Sequence, residues 1–364
     1  MALDIYHRRR NLVCAAFLVA AALPESTPAA PNTSAAVLMY QRVGDERYPT
    51  TNVTKAQFEA HLAYLDGNGF QVWPLERLIA QAESGKPFPA KVVALTFDDA
   101  YRSTLKNALP QLQARQWPYT LFVWTDAIDG RYGAYMTWDE LRTAQSNGAT
   151  IGNHSANHAH LLARKPQESD AQWNKRVQHN LERAQDRLKS ELGTRPALFA
   201  YPYGEYDAAL ATIVSSMGMK GFGEQSGPIG PHADGRALPR FPISQGNTAI
   251  EDIALRVHSV EMPVAAANPW SPVHDKNGIP QLEIDLTASL VRPNQLRCFG
   301  PANTPLKVTW KDMEKNKFTV AGPATLAADG RTRVNCTAPA GNQTYYWFSR
   351  LWVEQPHRLP RAAD

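Results

Sequence analysis

The run Val92-Val93-Ala94-Leu95-Thr96-Phe97 constrains the fold more than any other feature of the chain. A continuous apolar run this short reads as a strand whose two faces are both covered by other elements. It ends abruptly in Asp98-Asp99. Apolar runs over 36–40, 119–123, 197–200, 220–222 and 239–243 read as further strands, and helical patterns lie between them. Thr54-Lys55-Ala56-Gln57 and Thr137-Trp138-Asp139-Glu140 are capping boxes that open helices, with Gly67 or Gly69 stopping the first and Gly148 the second. Residues 101–115 and 206–217 read as two more helices. Trp173, Val177, Leu181, Ala184, Leu188 and Leu192 recur every three or four residues, which predicts one long amphipathic helix over 169–192. Buried strands alternating with helices predict a parallel α/β barrel or doubly wound sheet.

The texture changes after Met262-Pro263, and Asn268-Pro269-Trp270-Ser271-Pro272 reads as a break. Short runs over 281–286, 306–310, 317–320, 331–337 and 344–353, separated by turn residues, predict a small β-sandwich. The expected organisation is an α/β domain over 36–263, a linker over 264–279 and a C-terminal β-sandwich domain over 280–364. Residues 1–35 read as a signal peptide and short linker: basic 7–10 precedes an apolar stretch, 11–23, that is short for a bilayer span. An uncleaved N-terminal anchor is the alternative. Without that leader two cysteines remain, Cys298 and Cys336, an even pair that reads as a disulfide in an exported chain. Two free buried thiols are the other reading. A formal net charge of +4, with no Lys/Arg block beyond 8–10, argues against nucleic acid as a partner.

Asp98 and Asp99 stand at the carboxyl end of a strand, where parallel α/β folds bind ligands. Consecutive side chains leave a strand in opposite directions, so one aspartate can ligate a metal while the other stays free as a base. His154-Ser155-Ala156-Asn157-His158 follows the strand-like 149–152, and one turn of helix would align its two rings. Two histidines and a carboxylate form a usual catalytic set for zinc or a similar ion. Each fragment alone has an ordinary explanation, a helix cap for Asp-Asp and a surface pair for the histidines. Their order along one α/β domain points to metal-assisted hydrolysis. Residues 197–205 read as a strand ending in an aromatic, proline-stiffened turn, which either presents a backbone N–H to a ligand or simply packs.

Three fragments, Thr96-Phe97-Asp98-Asp99, His154 to His158 and Phe199-Ala200-Tyr201-Pro202-Tyr203-Gly204, resemble the motifs of the NodB-type polysaccharide deacetylases, carbohydrate esterase family 4. The resemblance covers about 37–260. The opening Val37-Leu38-Met39-Tyr40-Gln41-Arg42-Val43, with Phe58-Glu59-Ala60-His61-Leu62, is similar to the branch acting on poly-β-1,6-N-acetylglucosamine of biofilms. The resemblance implies a distorted (β/α) barrel that removes N-acetyl groups, with Asp98 as general base. It implies Asp99, His154 and His158 as ligands of a divalent metal, zinc first, with cobalt or nickel as alternatives. The Tyr203 backbone N–H would stabilise the oxyanion. The implied partner is an N-acetylated polysaccharide, met in the periplasm or outside the cell, with envelope association. Peptidoglycan, chitin-type and O-acetylated glycans are alternative substrates, and an impaired polysaccharide-binding protein is an alternative function.

The sequence departs from the family at two positions. Ala200 stands where an arginine usually orients the base, and Arg240 is a candidate substitute. Gln41 replaces a histidine that would protonate the leaving amine; His160, His232 and His258 are available, none in a motif, with His258 expected on a helix. Tyr345-Tyr346-Trp347 and Trp352 read as sandwich core or, alternatively, as a sugar-stacking platform.

Overall fold

In a computed structural model of the chain, residues 32–354 are described except 90, 275–278, 288–290, 315 and 324–329. The leader falls on 1–31, outside the described residues. The first region is built on the parallel strands β1 (Ala36–Tyr40), β2 (Val92–Asp98), β3 (Tyr119–Val123), β4 (Ala149–Asn153), β5 (Leu198–Ala200), β6 (Lys220–Phe222) and β7 (Phe241–Pro242). Their spatial order is β7-β1-β2-β3-β4-β5-β6, with the short strand Gln71–Val72 added to β2. The segment leading into β7 links the two ends of that order. Leu238 exchanges hydrogen bonds with Gly221 and Gly223, while Phe241 and Pro242 pair with Leu38 and Met39 of β1.

Strand alternation sorts β2 into two cores. Val93, Leu95 and Phe97 pack with Phe58, Leu62 and Leu65 of the helix Lys55–Gly67. Val92 and Ala94 join Val37, Phe122, Phe222 and Leu238 on the other side. Continuing that second face by steps of two reaches Thr96 and then Asp98. The packing therefore decides which aspartate points inward.

Both expected capping boxes form, and Ser169 makes a third at the head of the helix Asp170–Leu192. The helix expected over 101–115 is instead two, Arg102–Asn107 and Leu109–Ala114. Pro110 lies in the first turn of the second; it lacks an N–H and would clash with a preceding turn, so it fits a new helix start and not an interior.

The C-terminal residues form two sheets. Strands β8 (Val260–Glu261), β9 (Val264–Asn268), β10 (Gln281–Leu286), β11 (Arg297–Phe299), β12 (Val308–Asp312), β13 (Lys317–Ala321), β14 (Arg331–Gly341) and β15 (Thr344–Glu354) supply them. One sheet orders β8-β15-β14-β11 and the other β9-β10-β13-β12. Leu282, Ile284, Phe318 and Val320 of the second share one apolar core with Val334, Cys336 and Trp352 of the first. Residues 264–268, inside the stretch read as a linker, pair antiparallel with β10. Cys298 and Cys336 face each other across β11 and β14 and are disulfide-bonded. Trp352 is core, and Trp347 packs edge-on against Phe241 of β7, ring centroids 5.4 Å apart. Leu351 and Val353 enter an apolar cluster with Trp173, Tyr201 and Tyr206, so the C-terminal sheets pack directly on the first region. Among the described residues no helix is long and apolar enough to cross a membrane.

Candidate active site

A cavity of about 860 Å³ opens at the carboxyl ends of the parallel strands, lined by Asp99, His154, His158, Tyr203, Gln41 and Arg42 among others. Asp98, facing inward from β2, is buried and receives both terminal nitrogens of Arg240: Nη1 to Oδ1 at 2.7 Å and Nη2 to Oδ2 at 2.8 Å. Arg240 is itself wholly buried, its guanidinium beside the Phe122 and Phe222 rings and its Nε donating to the Gly223 carbonyl. The structure thus brings Arg240, distant in sequence, to the carboxylate that lacks an arginine at Ala200.

Asp99 leaves the strand in the left-handed region, φ +71°, and Ala100 follows at φ +55°. Such conformations are costly for residues with a Cβ and cluster at functional sites. The turn carries the Asp99 carboxylate away from Asp98 and toward the histidines. Its Oδ1 lies 3.6 Å from His154 Nε2 and 3.3 Å from His158 Nε2, and the two Nε2 atoms are 3.2 Å apart.

The histidines do not share a helical turn, contrary to the sequence expectation. They sit on a loop with left-handed residues at Ser155 (φ +69°) and His158 (φ +48°). Side chains take the backbone bonds that a helix would have used: Asn153 Oδ1 accepts from Ser155 N–H, Asn180 Oδ1 from Ala156 N–H, and Ser155 Oγ from His158 N–H. His154 Nδ1 lies 2.8 Å from the Ala200 carbonyl, an acceptor only, so Nδ1 carries the proton and Nε2 is left as a lone pair.

Three possible ligand atoms, one from each side chain and gathered within 4.8 Å of one another, fit one shared cation. Two donors on a tetrahedral ion at about 2.1 Å stand roughly 3.4 Å apart, close to the separations here. Burial pushes the Asp99 carboxyl up to about 6, against the pull of the His154 ring. Burial also pushes His158 down to about 4 and holds His154 below its usual value. Near neutrality both rings are neutral and the carboxylate ionised, as ligation requires.

Tyr203, in the turn after β5, has φ +59° and stacks its ring on His160, centroids 4.0 Å apart. His160 Nδ1 lies 2.9 Å from Oε2 of Glu205, which is buried. His258 caps the helix Ile250–Val257 and packs on Phe70, and the His232 N–H bonds Glu261. None of these three lines the cavity; His154 and His158 are its histidines among the described residues.

Sequence reasoning did not single out several lining residues. Arg42 is buried, its guanidinium carbon 4.0 Å from the Tyr48 ring centroid and 3.7 Å from that of Tyr101. Trp124 packs on His158. Gly300 to Asn303, Arg331, Arg333 and Asn335 come from the C-terminal sheets and their loops and form the opposite wall.

Residues 85–222 match the family model described as polysaccharide deacetylase. Among curated relatives it is similar to poly-β-1,6-N-acetyl-D-glucosamine N-deacetylase of Escherichia coli K12, 24% identical over 254 residues. That match takes in 60% of this chain and only 37% of the relative. The fold is similar to that of the deacetylase PplD of Streptococcus pyogenes, solved with acetate, at TM-score 0.55 and 22% identity over 63% of this chain and 99% of that one. It is also similar to IcaB from Ammonifex degensii, at TM-score 0.54 and 23% identity over 62% of this chain and 98% of that one.

Proposed function

We propose that the chain removes N-acetyl groups from a GlcNAc-containing exported or envelope polysaccharide and releases acetate, with poly-β-1,6-N-acetylglucosamine as the leading substrate. The observation that carries this reading is the placement of Asp99, His154 and His158 around one point, with Asp98 held separately by Arg240 on the same strand end. The name of the E. coli relative supports the choice of polymer. The expected signal peptide supports export, and the two C-terminal sheets are read as a β-sandwich appended to a distorted barrel.

Asp99, His154 and His158 would hold a divalent cation, zinc first. Such an ion supplies Lewis acidity, lowering the pKa of a coordinated water to about 7 and polarising a carbonyl oxygen. Asp98 accepts a proton from the attacking water, while the paired hydrogen bonds from Arg240 keep its carboxylate oriented. The Tyr203 N–H donates to the oxygen that gains charge; one such donor is worth about 3–4 kcal/mol. A C–O bond forms, the amide C–N bond breaks, and acetate and a free amine leave. Gln41 lines the cavity without a titratable proton, so protonation of the amine is expected to limit turnover.

The test is acetate release from β-1,6 and β-1,4 GlcNAc oligomers after chelation and after return of Zn2+, Co2+ or Ni2+. Metal-restored release from the β-1,6 oligomers supports the reading. Release from β-1,4 oligomers alone moves the substrate to chitin-type glycans, and release from acetyl xylan alone defeats the amide assignment.

A further inference from the structure

The first residues of the strand β14 reach across to the deacetylase region at every second position. Arg331, Arg333 and Asn335 share one face, as strand alternation requires. Asn335 Oδ1 accepts from Ser226 Oγ at 2.8 Å. Arg333 donates to the Glu224 carbonyl at 2.8 Å and to its carboxylate at 2.7 Å. Arg331 reaches furthest into the site. Its Nη1 donates to the Tyr203 carbonyl at 3.1 Å, its guanidinium carbon lies 5.3 Å from the Tyr203 ring centroid, and its Nε is 3.8 Å from Glu205 Oε1.

The segment it touches needs holding. Tyr203 is left-handed with a full side chain, and a Cβ on the next residue, Gly204, would come within 2.7 Å of the Glu224 side chain. Within the turn, Gly204 N–H donates to the Tyr201 carbonyl at 2.8 Å and Glu205 N–H to that of Pro202 at 3.2 Å. Unfavoured conformations persist only where surrounding structure over-determines them. Arg331 supplies that from 128 residues away, gripping the turn at its carbonyl, its ring and the carboxylate that also binds His160.

We propose that Arg331 is a positioning residue of the deacetylase site, contributed by the C-terminal sheets, which fixes the Tyr203 turn and with it the Tyr203 N–H. This rests on the deacetylase reading. It makes the C-terminal sheets part of the catalytic unit and not a separate polymer-docking module.

The experiment compares full-length wild type, Arg331→Ala and Arg331→Lys, each loaded with Zn2+, by kcat and KM on short GlcNAc oligomers and by amide hydrogen exchange. In Arg331→Ala, kcat falls roughly 10–100-fold with KM within about threefold, as misplacement of one oriented group commonly costs. Methylguanidinium restores part of that loss, and the lysine variant retains an intermediate kcat. Exchange at Gly204 and Glu205 quickens about tenfold or more, since these hydrogen-bonded amides then open locally, while Val334 and Cys336 keep wild-type protection. A kcat within threefold of wild type overturns the proposal. So does quickened exchange throughout β14, which would make Arg331 merely structural. If wild type releases no acetate from any N-acetylated glycan, the deacetylase reading fails by itself. Exchange at the turn then decides: quickening confined to the turn supports positioning, and an unchanged turn overturns it.

Discussion

Two arginine–carboxylate pairs differ in what surrounds them: Arg240–Asp98 lies buried behind the cavity on the sheet side, and Arg333–Glu224 lines the cavity itself. Arg240–Asp98, on the sheet side, has side chains 0% and 1% exposed, whereas Arg333–Glu224, on the C-terminal side, has side chains 41% and 13% exposed. A buried pair is held by strong, weakly screened forces and is costly to break from one side, while an exposed pair is screened and worth little. The sheet wall is therefore built for fixed chemistry. The C-terminal wall is built from contacts that can vary, with Arg331 as its deep exception.

The sharpest break of that contrast is Asp98→Asn. It should lower kcat for acetate release by roughly 10³–10⁴, at the upper range for losing a general base, while elemental analysis still finds one metal per chain. Loss of the metal along with the rate would mean that Asp98 is a ligand. Arg240→Ala should cost about 3–5 kcal/mol in denaturant unfolding, because it leaves the Asp98 carboxylate buried and alone. An unchanged midpoint would contradict the fixed-wall description. In the core of the C-terminal sheets, Cys298→Ser with Cys336→Ser should cost about 3–4 kcal/mol by loop entropy, read as a lower unfolding midpoint under oxidising conditions.

A smaller effect concerns the seam between the walls. Burial pushes Glu261 of β8 up to about 7 from its ordinary 4.5, despite bonds from the His232 and Gly230 N–H groups. The folded protein thus keeps a proton that the unfolded chain releases. The associated stability is present below about pH 4.5 and is lost as pH rises through about 7. Glu261→Gln cannot ionise, so its melting temperature should gain on wild type between pH 5 and pH 8. An equal difference at both pH values would refute the burial of that charge. Smallest of all, Arg333→Ala should change stability by under about 1 kcal/mol; a loss like that of Arg240→Ala would erase the distinction between the walls.

How much of this was legible in sequence follows from how local each cause is. Asp98 and Asp99 were readable because strand alternation and the strand-end rule act within a few residues. The histidines were readable as donors but not in their geometry, because Asn153, Ser155 and Asn180 outbid the helix for backbone bonds. Pro110 broke a helix that periodicity alone had made continuous. The strand at 264–268 hid because its alanines give no alternation before the proline-rich break. Arg240 could be nominated from sequence, yet its pairing depends on the segment that joins both ends of the sheet. Arg331 and Glu224 carried no signal, since their partners lie more than a hundred residues away.

Anomalous diffraction at the zinc absorption edge, from crystals of the Zn2+-loaded chain, tests the central claim most directly. A single strong peak about 2.0–2.2 Å from Asp99 Oδ1, His154 Nε2 and His158 Nε2, with Asp98 still on Arg240, is the predicted result. Zinc bound elsewhere, or Asp98 drawn off Arg240 to ligate it, would contradict the account.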